Sequence, residues 1–304
     1  MSTIAENRMK FNEKNYTKLC DDRVNNPTKL QKLLKGRKRR AKLTKDGKLF
    51  IVAADHTARG IISASGQPLA MADRYDLLDR LIRALAVPGV DGILATPDLV
   101  EELAYFGALD DKLIFGSINR AGILGADWEL DDRQSAYDVA GIKEFGLDGG
   151  KTLLRIEKSD PGVLRTIEMV ASVNSALARA KKLSIIEPLP YIKNAAGKFE
   201  LQNDIQELVR VIGIASALGT TSAYTWLKVP VFEDFKYAAK ATSLPLMLLG
   251  GDPGKDWQAT FNKWEQAFKF ENVRALIPGR TLLFSPELSV EQAVSKAVTI
   301  VRKV

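Results

Sequence analysis

The chain has 304 residues, 46% hydrophobic and 27% charged, with a formal net charge of +7. That is an ordinary globular composition, long enough for one large domain or two smaller ones, and no apolar run approaches the ~18 residues of a membrane span. A single cysteine, Cys20, forbids an internal disulfide, and with one histidine, His56, a zinc or iron centre built from several such ligands is disfavoured, although an all-oxygen magnesium site stays open.

The first residues, Met1 to Lys14, are polar and lack the apolar centre of an export signal, so the chain reads as cytoplasmic. Residues 1–47 read as an N-terminal basic extension and 48–304 as the main domain. Lys29 to Lys48 carries ten basic side chains, among them Arg37, Lys38, Arg39 and Arg40, against one acid, Asp46. The run has no aromatic residue for base stacking and no accompanying nucleic-acid motif. It reads as a solvated helix beside the entrance of an anionic substrate, and nucleic acid as a partner is disfavoured.

From Leu49 onward the pattern alternates. Leu49 to Ala54 predicts a buried strand, ended by Asp55-His56-Thr57-Ala58-Arg59-Gly60, and Leu77, Leu78, Leu81, Ile82 and Leu85 follow at helical spacing. Gly92 to Thr96 is a second strand, with Pro97 opening a helix, and Lys112 to Ser117 a third, followed by a glycine-bearing loop and a helix from Asp132 to Phe145. Lys151 to Ile156 is the fourth strand and Leu183 to Glu187 the fifth. After the fifth come an irregular excursion, Pro188 to Glu200, and a helix from Ile205 to Leu218. Ala223 to Val229 is the sixth, with Tyr224, Trp226 and Lys228 on one face. Leu244 to Leu249 is the seventh, leading into Gly250-Gly251-Asp252-Pro253-Gly254 and a helix from Lys255 to Phe268. Val273 to Ile277 is the eighth, and Ser289 with Gln292 starts the last helix as a capping box. Eight short apolar strands interleaved with amphipathic helices predict an α/β chain folded as a (β/α)8 TIM barrel. A doubly wound sheet is the alternative, but no dinucleotide-binding glycine fingerprint follows the first strand.

Function in such a barrel sits at the carboxyl ends of the strands. Those ends bring together Asp55, Arg155 and Glu157, Glu187, Lys228, Gly250-Gly251 and Gly279-Arg280. The two glycine turns follow the last two strands, where backbone N–H groups can approach a phosphate, with Arg280 or Lys255 adding charge. Lys228 would be a nucleophile if burial or a neighbouring cation left part of it neutral. Lys151 and Arg155 are the candidate cations, with Lys151, deep in its strand, favoured as the buried neighbour and Arg155, nearer the mouth, as an anion contact. Asp55 and Glu187 are the carboxylates for proton transfer, and His56 reads as a packed or hydrogen-bonding neighbour, with contact to the substrate as the alternative. No cofactor is implied.

These residues resemble the class I, Schiff-base aldolases of the deoxyribose-phosphate aldolase superfamily, closest to the tagatose-bisphosphate and archaeal-type fructose-bisphosphate branch. The resemblance spans Phe50 to Phe284. It rests on Asp55-His56, the lysine in Gly150-Lys151-Thr152-Leu153-Leu154, Glu187, Lys228, and the Gly-Arg of Pro278-Gly279-Arg280-Thr281. It implies an imine at Lys228, proton transfer by Asp55, and supporting roles for Lys151 and Glu187. The implied substrate is a phosphorylated keto-sugar releasing dihydroxyacetone phosphate, or a keto-sugar acid phosphate from inositol breakdown whose carboxylate Arg59 or Arg155 could hold. The segment Asp55-His56-Thr57-Ala58-Arg59-Gly60 departs from the archaeal Asp-His-Gly. Transaldolase or acyl-transfer chemistry at Lys228, or a phosphosugar- or nucleic-acid-binding barrel without catalysis, are the competing readings. A homo-oligomer is compatible with barrels of this class.

Overall fold

The computed structural model describes residues 10–252 and 256–303. The main-domain strands are β1 (Leu49–Ala53), β2 (Gly92–Ala95), β3 (Leu113–Ser117), β4 (Gly149–Ile156), β5 (Leu183–Lys193), β6 (Phe199–Leu201), β7 (Thr225–Val229), β8 (Leu246–Leu249) and β9 (Val273–Ile277). All pair in parallel except β6, and the order β4-β3-β2-β1-β9-β8-β7-β5 closes through β4–β5 pairing. The chain is therefore a closed eight-stranded (β/α)8 barrel, as expected from the alternation. Strand alternation divides the core in two. Leu49, Ile51, Leu94, Phe115, Ile185, Met247 and Ile277 fill the interior, with Trp226 against them. The opposite faces, such as Phe50, Val52, Ile114 and Leu276, pack under the helices.

The helices are α1 (Glu13–Asn25), α2 (Thr28–Gly36), α3 (Arg74–Ala86), α4 (Pro97–Tyr105), α5 (Val139–Glu144), α6 (Gly162–Arg179), α7 (Ile205–Ser216), α8 (Lys236–Lys240), α9 (Trp257–Ala267), α10 (Arg280–Leu283) and α11 (Val290–Arg302). The capping box at Ser289 is present. Among the described residues no helix is long and apolar enough to cross a membrane.

Two local expectations are corrected. The segment predicted as a helix from Asp132 is irregular until Asp138, whose side chain caps α5 by accepting from Gly141 N at 2.6 Å. The excursion after Glu187 is a continuation of β5, whose end folds back antiparallel onto β6. Pro188 and Pro190 are tolerated there because β5 has outrun β7, whose pairing stops at Ile186, so one side of the strand needs no N–H donor.

The basic extension does not lie at the mouth. Leu19, Leu30 and Leu34 are buried in the core. Arg37 donates to the carbonyls of Leu34, Phe145 and Gly146, and Arg40 pairs with Asp91 at 2.6 Å. Asp91 and Gly146 precede β2 and β4, so this cluster stands at the amino ends of the strands, opposite the entrance. Arg37 and Arg40 serve carbonyl capping and ion pairing, whereas Lys32, Lys35, Lys38, Arg39, Lys42 and Lys45 are exposed, so the run is largely solvated as expected but lies away from the entrance.

Candidate active site

Four strands deliver the polar centre. Lys151 lies on β4 beside Ser117 of β3, Leu153 is level with Glu187 of β5, and Lys228 of β7 follows the Ile186–Leu227 pair. Asp55 lies two residues beyond β1. All point inward because their positions share the parity of the interior apolar residues. They are nearly dry, with exposures of 2% for Asp55, 1% for Lys151, 7% for Glu187 and 5% for Lys228.

The contacts form one continuous chain. Glu187 Oε1 lies 2.8 Å from Lys228 Nζ, and its Oε2 pairs with Lys151 Nζ. Lys151 Nζ is 3.3 Å from Asp55 Oδ2, which also pairs with Arg120 and accepts from Ser117 Oγ at 3.0 Å. Three cations thus face two carboxylates. Burial by itself would raise both acids, but the cations outweigh it: Arg120, Lys151 and Lys228 hold Asp55 well below the carboxylate range, and Lys151 and Lys228 take Glu187 to about 2. Lys151 moves the other way from its usual value, down to about 8, through burial first and then Arg120.

Around this chain is a cavity of about 170 Å³, also lined by His56, Arg59, Tyr191, Gly250, Gly251, Gly279 and Arg280. The glycines are dictated by space. A Cβ on Gly279 would stand 2.2 Å from Ala53 O, and one on Gly250 2.6 Å from Thr281 Oγ1. Gly251 has φ +73°, a region that favours glycine. Arg280 pairs with Asp252 at 2.8 Å. His56 is half-buried, with its Nδ1 enclosed and unpartnered, and desolvation drops its pKa to about 3, so the ring is neutral at pH 7. A larger cleft of about 730 Å³ beside residues 64–70 has, among the described residues, Arg80 as its one charged lining side chain.

Arg155 is not where the expectation put it. It is 1% exposed, and its guanidinium is held by Glu129 Oε1 at 2.5 Å, Asp132 Oδ2 at 3.4 Å and the carbonyls of Gly122 and Glu129. It ties down the β3–α5 loop and does not line the cavity. Arg59 does line it, but its guanidinium already donates to Gly122 O at 3.0 Å and pairs with Glu129 at 3.3 Å. Glu157 accepts from Ser159 in a local turn outside the cavity, and Lys255 lies outside the described residues. Lys151 and Lys228 meet through Glu187, as neighbours of one carboxylate. Three residues of the site were not anticipated. Ser117 ends the third strand and carries the same topological signal as the other strand ends, Arg120 lies in the loop beyond it, and Tyr191 was hidden by reading the extension of β5 as a loop.

A family model described as Cgl0159-like matches residues 47–298. The chain belongs to the Cgl0159-like family. The crystal structure of Cgl0159 from Corynebacterium glutamicum is 40% identical, covers 96% of this chain and 98% of its own, and superposes with a TM-score of 0.93. The Cgl0159-like barrel is also similar to a Schiff-base-forming fructose-1,6-bisphosphate aldolase, at TM-score 0.62 and 16% identity over 90% of this chain and 99% of the other. An archaeal fructose-1,6-bisphosphate aldolase whose catalytic lysine is bound to the carbinolamine intermediate scores 0.60, at 16% identity over 89% of this chain and 97% of its own. At those identities the likeness is one of fold. No curated protein matches the chain.

Proposed function

We propose that this protein is a class I aldolase that cleaves a phosphorylated keto-sugar through an imine at Lys228. The observation that carries the reading is the buried Lys228–Glu187–Lys151 chain at the mouth of the barrel. A nucleophilic lysine must shed a proton, and here it shares a carboxylate with an amine that gives up its own proton near pH 8. Transfer of one proton from Lys228 through Glu187 to neutral Lys151 leaves the Lys228 lone pair free for a ketone carbon. Attack gives a carbinolamine, loss of water gives the iminium, and the electrons of the adjacent carbon–carbon bond move into it as the hydroxyl proton of the departing aldehyde passes to a base. Asp55, held ionised, is assigned that proton transfer. The Gly250-Gly251 and Gly279-Arg280 turns are assigned to the phosphate, and the solved aldolase with its lysine-bound carbinolamine supports the chemistry by fold. A keto-sugar acid phosphate of inositol breakdown is the variant substrate, its carboxylate assigned to Arg59, which lines the cavity where Arg155 does not.

The test is borohydride reduction in the presence of dihydroxyacetone phosphate, followed by peptide mass analysis. A reduced adduct on Lys228, absent in Lys228→Ala, is the expected result. An unlabelled protein with both this ketone and carboxylated keto-sugar phosphates, or an adduct on Lys151, refutes the assignment.

A further inference from the structure

Of the three cations that face Asp55 and Glu187, Arg120 is the one carried by a loop instead of a strand, and it is fixed there from several sides. Its backbone N–H donates to Ser135 Oγ at 2.8 Å, and the preceding Asn119 is tied to Leu153 through both ends of its amide. Arg120 Nε donates to Ser117 Oγ at 2.6 Å. A guanidinium can only donate, so the serine oxygen accepts there, and its own proton is directed to Asp55 Oδ2. The second arm of Arg120 pairs with the same Oδ2. Asp55, Ser117 and Arg120 therefore close a ring of two hydrogen bonds and an ion pair, and Lys151 is left with a share of a carboxylate oxygen already engaged by Ser117 and Arg120.

The groups facing Lys151 are Asp55 and His56 beyond β1, Ser117 at the end of β3 and Arg120 after it, Glu187 on β5 and Lys228 on β7. Among the three cations arginine does not release its proton under physiological conditions, so relief of the excess charge falls on a lysine. Lys151 is the more buried of the two and stands between the other cations, Arg120 across Asp55 and Lys228 across Glu187.

We propose that Arg120 is a positioning residue: by occupying Asp55 it keeps that carboxylate from neutralising Lys151, and so maintains Lys151 as the proton acceptor for Lys228. The electrostatics agree, since Arg120 follows burial as the second influence lowering Lys151 to about 8. The inference rests on the Schiff-base reading for its purpose, but its physical content is independent of any substrate.

The experiment is a 13C NMR titration of lysine Cε resonances in the full-length protein without ligand, with Lys151 assigned by the peak lost in Lys151→Met. The wild-type midpoint is expected near pH 8. Arg120→Gln should raise it by about one unit or more, the usual effect of deleting a nearby like charge, so that the neutral amine at pH 8 falls about fivefold. Arg120→Lys, which keeps a charge, should restore most of the shift, and Arg120→Met keeps the packed stem if glutamine fails to fold. A midpoint unmoved in a folded neutral variant overturns the proposal, as does one that Arg120→Lys does not restore. In parallel, the rate of dihydroxyacetone phosphate trapping at Lys228 should fall about fivefold at pH 8 in Arg120→Gln. If the midpoint moves but wild type traps no ketone, the electrostatic role stands and the aldolase reading fails.

Discussion

Replacing Glu187 with glutamine keeps the side chain's shape and removes the charge shared by two buried lysines. Breaking a buried pair by removing one partner costs roughly 3–5 kcal/mol, because the remaining charge is left uncompensated. Here the cost should depend on pH, and the sign follows from Lys151. In the wild type Lys151 keeps its proton up to about pH 8. Without Glu187 only the Asp55 carboxylate still attracts it, its pKa falls further, and the amine is neutral over pH 6 to 8 in the folded variant while the unfolded chain still binds the proton. The variant therefore recovers stability relative to the wild type as pH rises over this interval, by about 1.4 kcal/mol per unit and roughly 2–3 kcal/mol in all. Above pH 8 both proteins lose the proton and the difference levels off. Urea denaturation of the two proteins at pH 6, 7, 8 and 9 measures this. A destabilisation that is flat across the series, or below about 1 kcal/mol at pH 6, would mean that the Lys228–Glu187–Lys151 chain is not the buried charged unit described.

His56 offers a second pH test. Its folded pKa of about 3 lies below the unfolded value, so below pH 6.5 the unfolded chain binds a proton that the folded one refuses, and stability falls with pH. Between pH 6.5 and 4.5 this amounts to roughly 2–3 kcal/mol. As the chain has one histidine, the wild-type minus His56→Asn difference should isolate it, and an equal pH slope in both proteins would show the ring to be charged or solvated. Gly279→Ala forces a Cβ to within 2.2 Å of Ala53 O, a backbone atom that cannot swing away. It should cost roughly 1–3 kcal/mol by overpacking and weaken ketone-phosphate trapping more than Gly251→Asn, whose site has open space and a left-handed backbone that asparagine tolerates. Equal trapping by both variants would detach the Gly279 turn from the substrate.

How far the site was legible in the sequence can be argued from its members. Asp55, Lys151, Glu187 and Lys228 were found because each is a charged residue inside or at the end of an apolar strand, and barrel topology sends strand ends to one mouth. Arg155 shared the parity of Lys151 and was expected to reach the substrate, but Glu129 and Asp132 claim its guanidinium. Those acids sit in a loop more than twenty residues away, and loop conformation has no periodicity to read. Arg120 was missed for the same reason, and Tyr191 because Pro188 and Pro190 imitate a strand's end where β5 merely runs free of β7.

The sequence by itself determined the (β/α)8 barrel, since the alternation of strand and helix periods is local and the right-handed parallel closure follows from it. It also determined which strand ends carry charge. Only the tertiary structure decided how that charge is shared. Whether a lysine meets one carboxylate or two, and whether an arginine faces a cavity or a buried acid, depends on side chains brought together across the barrel. The same holds for the basic run at Lys29 to Lys48, whose placement at the far end of the barrel follows from Asp91 and the carbonyls of Phe145 and Gly146, contacts with no signature in local sequence.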